Sequence, residues 1–214
     1  MRTGACRRAW GALAGAGLLL GAAAPAPAFQ SPSIVARHAL LRRPDLGRAW
    51  SLQAPAPRRA PKLTCHGFSP RLPGVRAPGA AASATFERGP HGPFVSQTAY
   101  VYASAAQQRV VWRRVVTSRL LRCVAAALRA GSGGGTAFTL TSRKVVSLHG
   151  TGGLVTRYRV SGSATNAGQT LPVFLDELVL GQRELITALD VSSFAQPPAD
   201  SLERRLVRLA SARL

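Results

Sequence analysis

The hydrophobic period of this chain changes twice, and those changes leave few folds open. From Phe94, FVSQTAYVYA alternates, with Ala99, Val101 and Ala103 on one side of a strand and Thr98, Tyr100 and Tyr102 on the other. At Ser104 the spacing lengthens. Trp112, Val116, Leu120, Val124 and Leu128 recur every fourth residue, with Arg109, Arg113, Arg122 and Arg129 extending the polar side. Ser104 and Gln107 make an S-x-x-Q capping box at the start of this helix, and a bend is expected near Thr117-Ser118. The GSGGG run at 131–135 ends it.

Beyond the glycines the short period returns. Phe138–His149, Leu154–Ser161, Leu171–Leu180 and Glu184–Val191 read as four strands, and Gly181-Gln182-Arg183 is a tight hairpin link. Asp200 and Glu203 form a second capping box, opening a last helix with Leu202, Leu206 and Leu209 on its apolar face. Upstream, Ala82–Arg88 is a shorter strand. Residues 29–44 form a tail and a short helix, IVARHALLRR, that Pro44 is expected to stop, and 53–80 is a Pro/Gly-rich irregular stretch. Consecutive strands with short links favour an antiparallel sheet, and the helices must bury their stripes against it. The expected fold class is α+β: an antiparallel β-sheet flanked by helices, in a single domain over residues 45–214.

The first residues read as an export signal. Arg2, Arg7 and Arg8 precede the apolar GALAGAGLLLGAAA, and Ala26 and Ala28 stand at small-residue positions before Phe29. Cleavage after Ala28 is expected, so residues 1–28 are a signal peptide, and the apolar run is too short to anchor the chain in a bilayer. Arg7-Arg8 leaves the twin-arginine route open beside the general one. No cysteine stands just after the apolar run, so no lipid anchor is expected. The chain is therefore placed in the cell envelope or outside it.

Two cysteines follow the signal, Cys65 and Cys123. In an oxidising compartment an even pair reads as a disulfide, contributing roughly 4 kcal/mol by closing the loop between them. A metal site or a nucleophile is the rival reading of Cys65-His66. The catalytic inventory is thin: four histidines, no H-E-x-x-H, no G-x-S-x-G and no phosphate loop. GSGGG closes a helix instead of opening one, so it is a linker and no anion cradle. Asp176, Glu177 and Glu184 lie in or beside apolar strands, where pairing with arginines such as Arg157, Arg159 or Arg183 outweighs a catalytic carboxylate pair. No catalytic residue, metal ligand or cofactor is expected. Tyr100, Tyr102 and Tyr158, with Arg157 and Arg159, are the candidate ligand-binding residues; Trp50 and Phe68 are further pocket aromatics, although strand aromatics usually fill the core.

Charge supplies the remaining constraint. Lys and Arg number 28 against 8 Asp and Glu, a net charge of +20 that argues for contact with anionic polymers or lipid surfaces. The basic residues are dispersed, and no nucleic-acid motif accompanies them, so nucleic acid is not an expected partner.

LTCHGF around Cys65, LLRCVAAAL around Cys123, VFLDELVLGQRELITAL and LERRLVRL together resemble the bacterial PknH-type extracellular sensor domains and related exported lipoproteins, within the broader PsbP-like α/β/α sandwich. The resemblance covers roughly residues 45–214. It implies binding of a small ligand or an envelope component, without catalysis, and any signalling output would come from another chain. The alternatives are a basic protein adhering to envelope polyanions or anionic membranes and, less favoured, a secreted hydrolase.

Overall fold

The computed structural model describes residues 30–59, 68–69, 72–130, 137–146, 154–166 and 168–214. The signal segment, Cys65 and the 131–135 glycines lie outside the described residues. The elements are α1 (Pro32–His38), α2 (Arg43–Leu46), β1 (Ser51–Ala54), β2 (Gly79–Ala82), β3 (Thr85–Glu87), β4 (Phe94–Val101), α3 (Ala105–Val115), α4 (Ser118–Ala130), β5 (Ala137–Val146), β6 (Leu154–Asn166), β7 (Gln169–Gln182), β8 (Leu185–Phe194) and α5 (Asp200–Ser211).

The strands form one antiparallel sheet in the order β1-β3-β4-β8-β7-β6-β5, with β2 also paired to β4. The four-strand run expected after the glycines is the meander β5–β8. Strand β4, earlier in the chain, inserts beside β8, with Val101 opposite Leu185 and Phe94 opposite Ser192.

Helices cover both faces. On one, Leu206, Val207 and Ala210 of α5 pack with Leu178, Leu180, Leu189 and Trp50, while Ala36, Ala39 and Leu40 of the α1 region pack against Ala99, Val101 and Leu185. On the other, Val111 of α3 and Leu120, Leu121 and Val124 of α4 meet Tyr158, Val160, Val179 and Ile186. Each fully buried Leu or Val contributes roughly 1.5–3 kcal/mol. The α+β sheet flanked by helices is thus the observed architecture.

Four local expectations change. The long helix divides at Val116-Thr117 into α3 and α4, at the place where a bend was expected; Ser104 accepts the Gln107 N–H at 3.2 Å at its start. The first short helix ends at His38, and Pro44 falls in the first turn of α2, where its missing N–H costs nothing. Ala199, not Asp200, caps α5; Asp200 and Glu203 turn instead to an arginine on the sheet. The irregular stretch at 53–80 is entered by the end of β1 and the start of β2.

The hairpin from β7 to β8 turns through Arg183, in the left-handed region at φ 51°. Just before it, Gly181 lies directly beneath α3. A β-carbon there would stand 2.5 Å from Gln108 Nε2 and 2.7 Å from Trp112 Cε3, so the absence of a side chain sets the close approach of helix to strand.

Candidate functional site: a buried carboxylate pair on the α3–α4 face

Antiparallel register carries one row of polar side chains across the sheet. Tyr158 on β6 is opposite Glu177 on β7, Glu177 is opposite Asp190 on β8, and Asp190 is opposite Ser96 on β4. Directly paired residues project to the same face, here the one that α3 and α4 cover. Tyr158 is 1% exposed, and its hydroxyl donates to the Val115 carbonyl at 3.3 Å, bracing the end of α3. Ser96 donates to Asp190 Oδ2 at 3.4 Å.

Glu177 is 9% exposed, and its Oε2 is buried without a hydrogen-bond partner among the described residues. Asp190 beside it is half-buried. Burial pushes both carboxyls above their ordinary range; the charge of Asp190 raises Glu177 further, and the Ser96 hydroxyl draws Asp190 partly back. Among the described residues no arginine or lysine pairs with either acid. In a chain with 28 basic residues against 8 acidic ones, that omission is the feature that sets this place apart.

The surrounding surface is partly open. Thr98, Tyr100, Ala188 and Ser192, on the same face of β4 and β8, are half-buried beside the helices. Tyr102, just past β4, packs on the same side, and burial, followed by Tyr100, pushes its hydroxyl up to about 12. Burial and then the Glu177 charge raise the Tyr158 hydroxyl as well. The three tyrosines singled out in the sequence therefore share one face with the acid pair.

Arg157 and Arg159 do not join them. They alternate with Tyr158 onto the opposite face, beneath α5. Arg157, 3% exposed, contacts Asp200 Oδ1 at 2.7 Å and also pairs with the fully buried Glu203. Arg159 donates through Nε to both Asp176 oxygens at 2.7 and 3.0 Å and reaches Glu203 at 3.5 Å. Burial and the neighbouring Asp176 push Glu203 up, opposed by Arg157. This cluster fastens α5 to β6 and β7, and its guanidinium groups are taken by carboxylates of the same chain. Asp176 and Glu177, adjacent in sequence, accordingly have different fates: one is paired to arginine, the other faces a second acid.

Asp190 carried no signal in the sequence, because its importance comes from cross-strand register. Cys123 is buried and engaged within the α3–α4 core, and Cys65 lies outside the described residues. Among the described residues no group of three or more His, Cys, Asp and Glu could hold a metal ion, and no helix is long and apolar enough to cross a membrane.

No family model and no curated protein matches the chain. The extracellular domain of PknH from Mycobacterium tuberculosis is similar in structure at a TM-score of 0.41 and 10% identity, over 85% of this chain and 95% of that one. The likeness is distant and of fold alone.

Proposed function

We propose that this chain is an exported, non-enzymatic ligand-binding module of the cell envelope. It takes a small ligand bearing a cationic or hydrogen-bond-donating group on the α3–α4 face of the sheet. The observation that supports this reading is the unpartnered, buried Glu177 carboxylate beside the half-buried Asp190. A buried carboxylate without a donor is costly, and a bound ammonium group would supply both the charge and the hydrogen bonds. Tyr100 and Tyr102 lie on the same side of the sheet, four and six residues past Ser96, and offer aromatic surface to the part of a ligand that extends away from the acids. The basic-apolar-small pattern of residues 1–28 supports the export half of the reading.

The test is a thermal-shift and calorimetric screen of primary, secondary and quaternary organic ammonium ions. At least one is expected to bind saturably, with affinity reduced about tenfold or more in Glu177→Gln, consistent with loss of a charge-assisted contact. Equal affinity in the variant, or no binding by any member of the panel, would overturn the assignment. Recovery of the mature protein with Met1 still attached would overturn export.

A further inference from the structure

On the opposite face of the molecule, where α1 passes to α2 beside β2 and β3, lies a shallow cavity of about 360 Å³ that is largely open to solvent. Leu40, Leu41 and Phe86, all buried, contribute apolar lining, and Arg37, Arg42 and Arg43, all exposed, stand around it. The volume lies at the small end of the roughly 300–1,000 Å³ typical of ligand sites. We infer that this cavity is a second binding site, for a single-chain amphiphile whose anionic head rests on the arginines and whose apolar tail covers the leucines and Phe86.

Three observations carry the assignment. First, the arginines form no ion pair among the described residues, although, against the effect of burial, the Arg42 charge helps hold the Asp45 carboxyl below its ordinary range. Asp45, the acid closest to them in the chain, is bound through both oxygens to Arg213 at 2.7 and 2.8 Å, and also accepts the Arg42 backbone N–H. Arg43 donates through Nε to the Trp50 carbonyl at 3.1 Å, which steadies it without neutralising it. Arg37 and Arg42 form no ion pair among the described residues.

Second, the wall is held in place before any ligand arrives. Gln97, 1% exposed, accepts the Leu41 N–H at 2.7 Å and donates to the Ala39 carbonyl at 3.1 Å and Thr187 Oγ1 at 2.8 Å. Its backbone N–H donates to Ser83 Oγ, another lining residue, at 2.9 Å. One core residue thus pins the α1–α2 link through its side-chain amide and the segment after β2 through its backbone N–H. A preorganised wall lowers the ordering cost of binding.

Third, charge and apolar surface are adjacent rather than mixed. Guanidinium groups bind phosphate and carboxylate oxygens through fixed pairs of donors, which a bare apolar groove does not provide. An inorganic anion would leave the apolar floor unused, and a neutral lipid would leave the arginines unused.

The experiment is calorimetric titration of the purified protein with decyl phosphate below its micelle threshold, beside inorganic phosphate and neutral decyl maltoside. Saturable binding of decyl phosphate is expected, about tenfold or more tighter than either control. Arg37→Gln/Arg42→Gln leaves the Arg43–Trp50 bond intact and is expected to weaken binding by about tenfold or more, the size of a lost charge-assisted contact. Its thermal melt should match the parent, because both side chains are exposed. Equal affinity for decyl maltoside would reduce the site to greasy contact, and equal affinity for inorganic phosphate would reduce it to general basicity. Unchanged affinity in the double variant would put the amphiphile elsewhere. Each of those three results overturns the assignment. Glu177→Gln lies on the other face and should leave decyl phosphate binding unaltered, so this site and the carboxylate site can fail separately.

Discussion

Glu177 and Asp190 face each other across β7 and β8 as register partners, one buried and the other half-buried, and neither is joined to a basic residue among the described ones. Their folded-state carboxyls are raised above the ordinary carboxylate range. The native chain therefore holds more protons than the unfolded chain between about pH 4 and about pH 8. The stability this lends is fully present below the ordinary range and is lost as pH climbs through the raised values. Glu177→Gln should raise the melting temperature at about pH 8 and have little effect near pH 4, in line with the ordinary carboxylate pKa. Thermal unfolding of both proteins across that range checks the sign; a variant less stable than its parent at the alkaline end would refute it.

Arg157 behaves oppositely, since its carboxylates are partners and not rivals. Arg157→Met leaves the buried Glu203 with only its longer contact to Arg159 at 3.5 Å, and a loss of about 3 kcal/mol is expected, at the lower end for broken buried pairs. Arg157→Met/Glu203→Leu should recover most of it, because an apolar pair needs no desolvation offset. Urea unfolding of the single and double variants measures the difference. Equal losses in both would mean that α5 depends on more than this pair.

Gly181→Ala tests the helix-to-strand approach. The new methyl would meet Gln108 and Trp112 within 3 Å, forcing α3 away from β7. Destabilisation of about 1–3 kcal/mol is expected, the usual cost of overpacking. It should be accompanied by a change in the near-ultraviolet signal of Trp112.

A Cys65–Cys123 bridge is predicted on the expectation that the chain is exported to an oxidising compartment. Phe68, three residues beyond Cys65, packs in the same cluster as Cys123, and Arg114 of α3 lies 5.8 Å from the Phe68 ring centre. Non-reducing peptide mapping of secreted protein should find the two cysteines linked, and reduction should cost roughly 2–4 kcal/mol. Two free thiols would exclude the bridge.

Much of the architecture was legible because hydrophobic period is a local property. The alternation of 94–101 is β4, the four-residue spacing after Ser104 is α3 and α4, and the apolar face of Leu202, Leu206 and Leu209 is that of α5. Even the helix break, at Val116-Thr117, falls within one residue of the bend expected near Thr117-Ser118. Capping was less so: Asp200 and Glu203 have the spacing of a capping box but serve Arg157, forty-three and forty-six residues away. Local patterns cannot distinguish a side chain that closes its own helix from one that crosses to a sheet.

The sequence alone, then, determined the main strands and helices and that an acid in a strand would pair with arginine, as Asp176 does with Arg159. Only the tertiary structure decided that Arg157 and Arg159 turn away from Tyr158, that Asp176 is neutralised while Glu177 is not, and that Asp190 stands opposite it. It also brought Arg37, Arg42 and Arg43 around one cavity. The physical reason is that periodicity is written in neighbours along the chain, whereas strand register and electrostatic partnership depend on residues that folding alone makes neighbours.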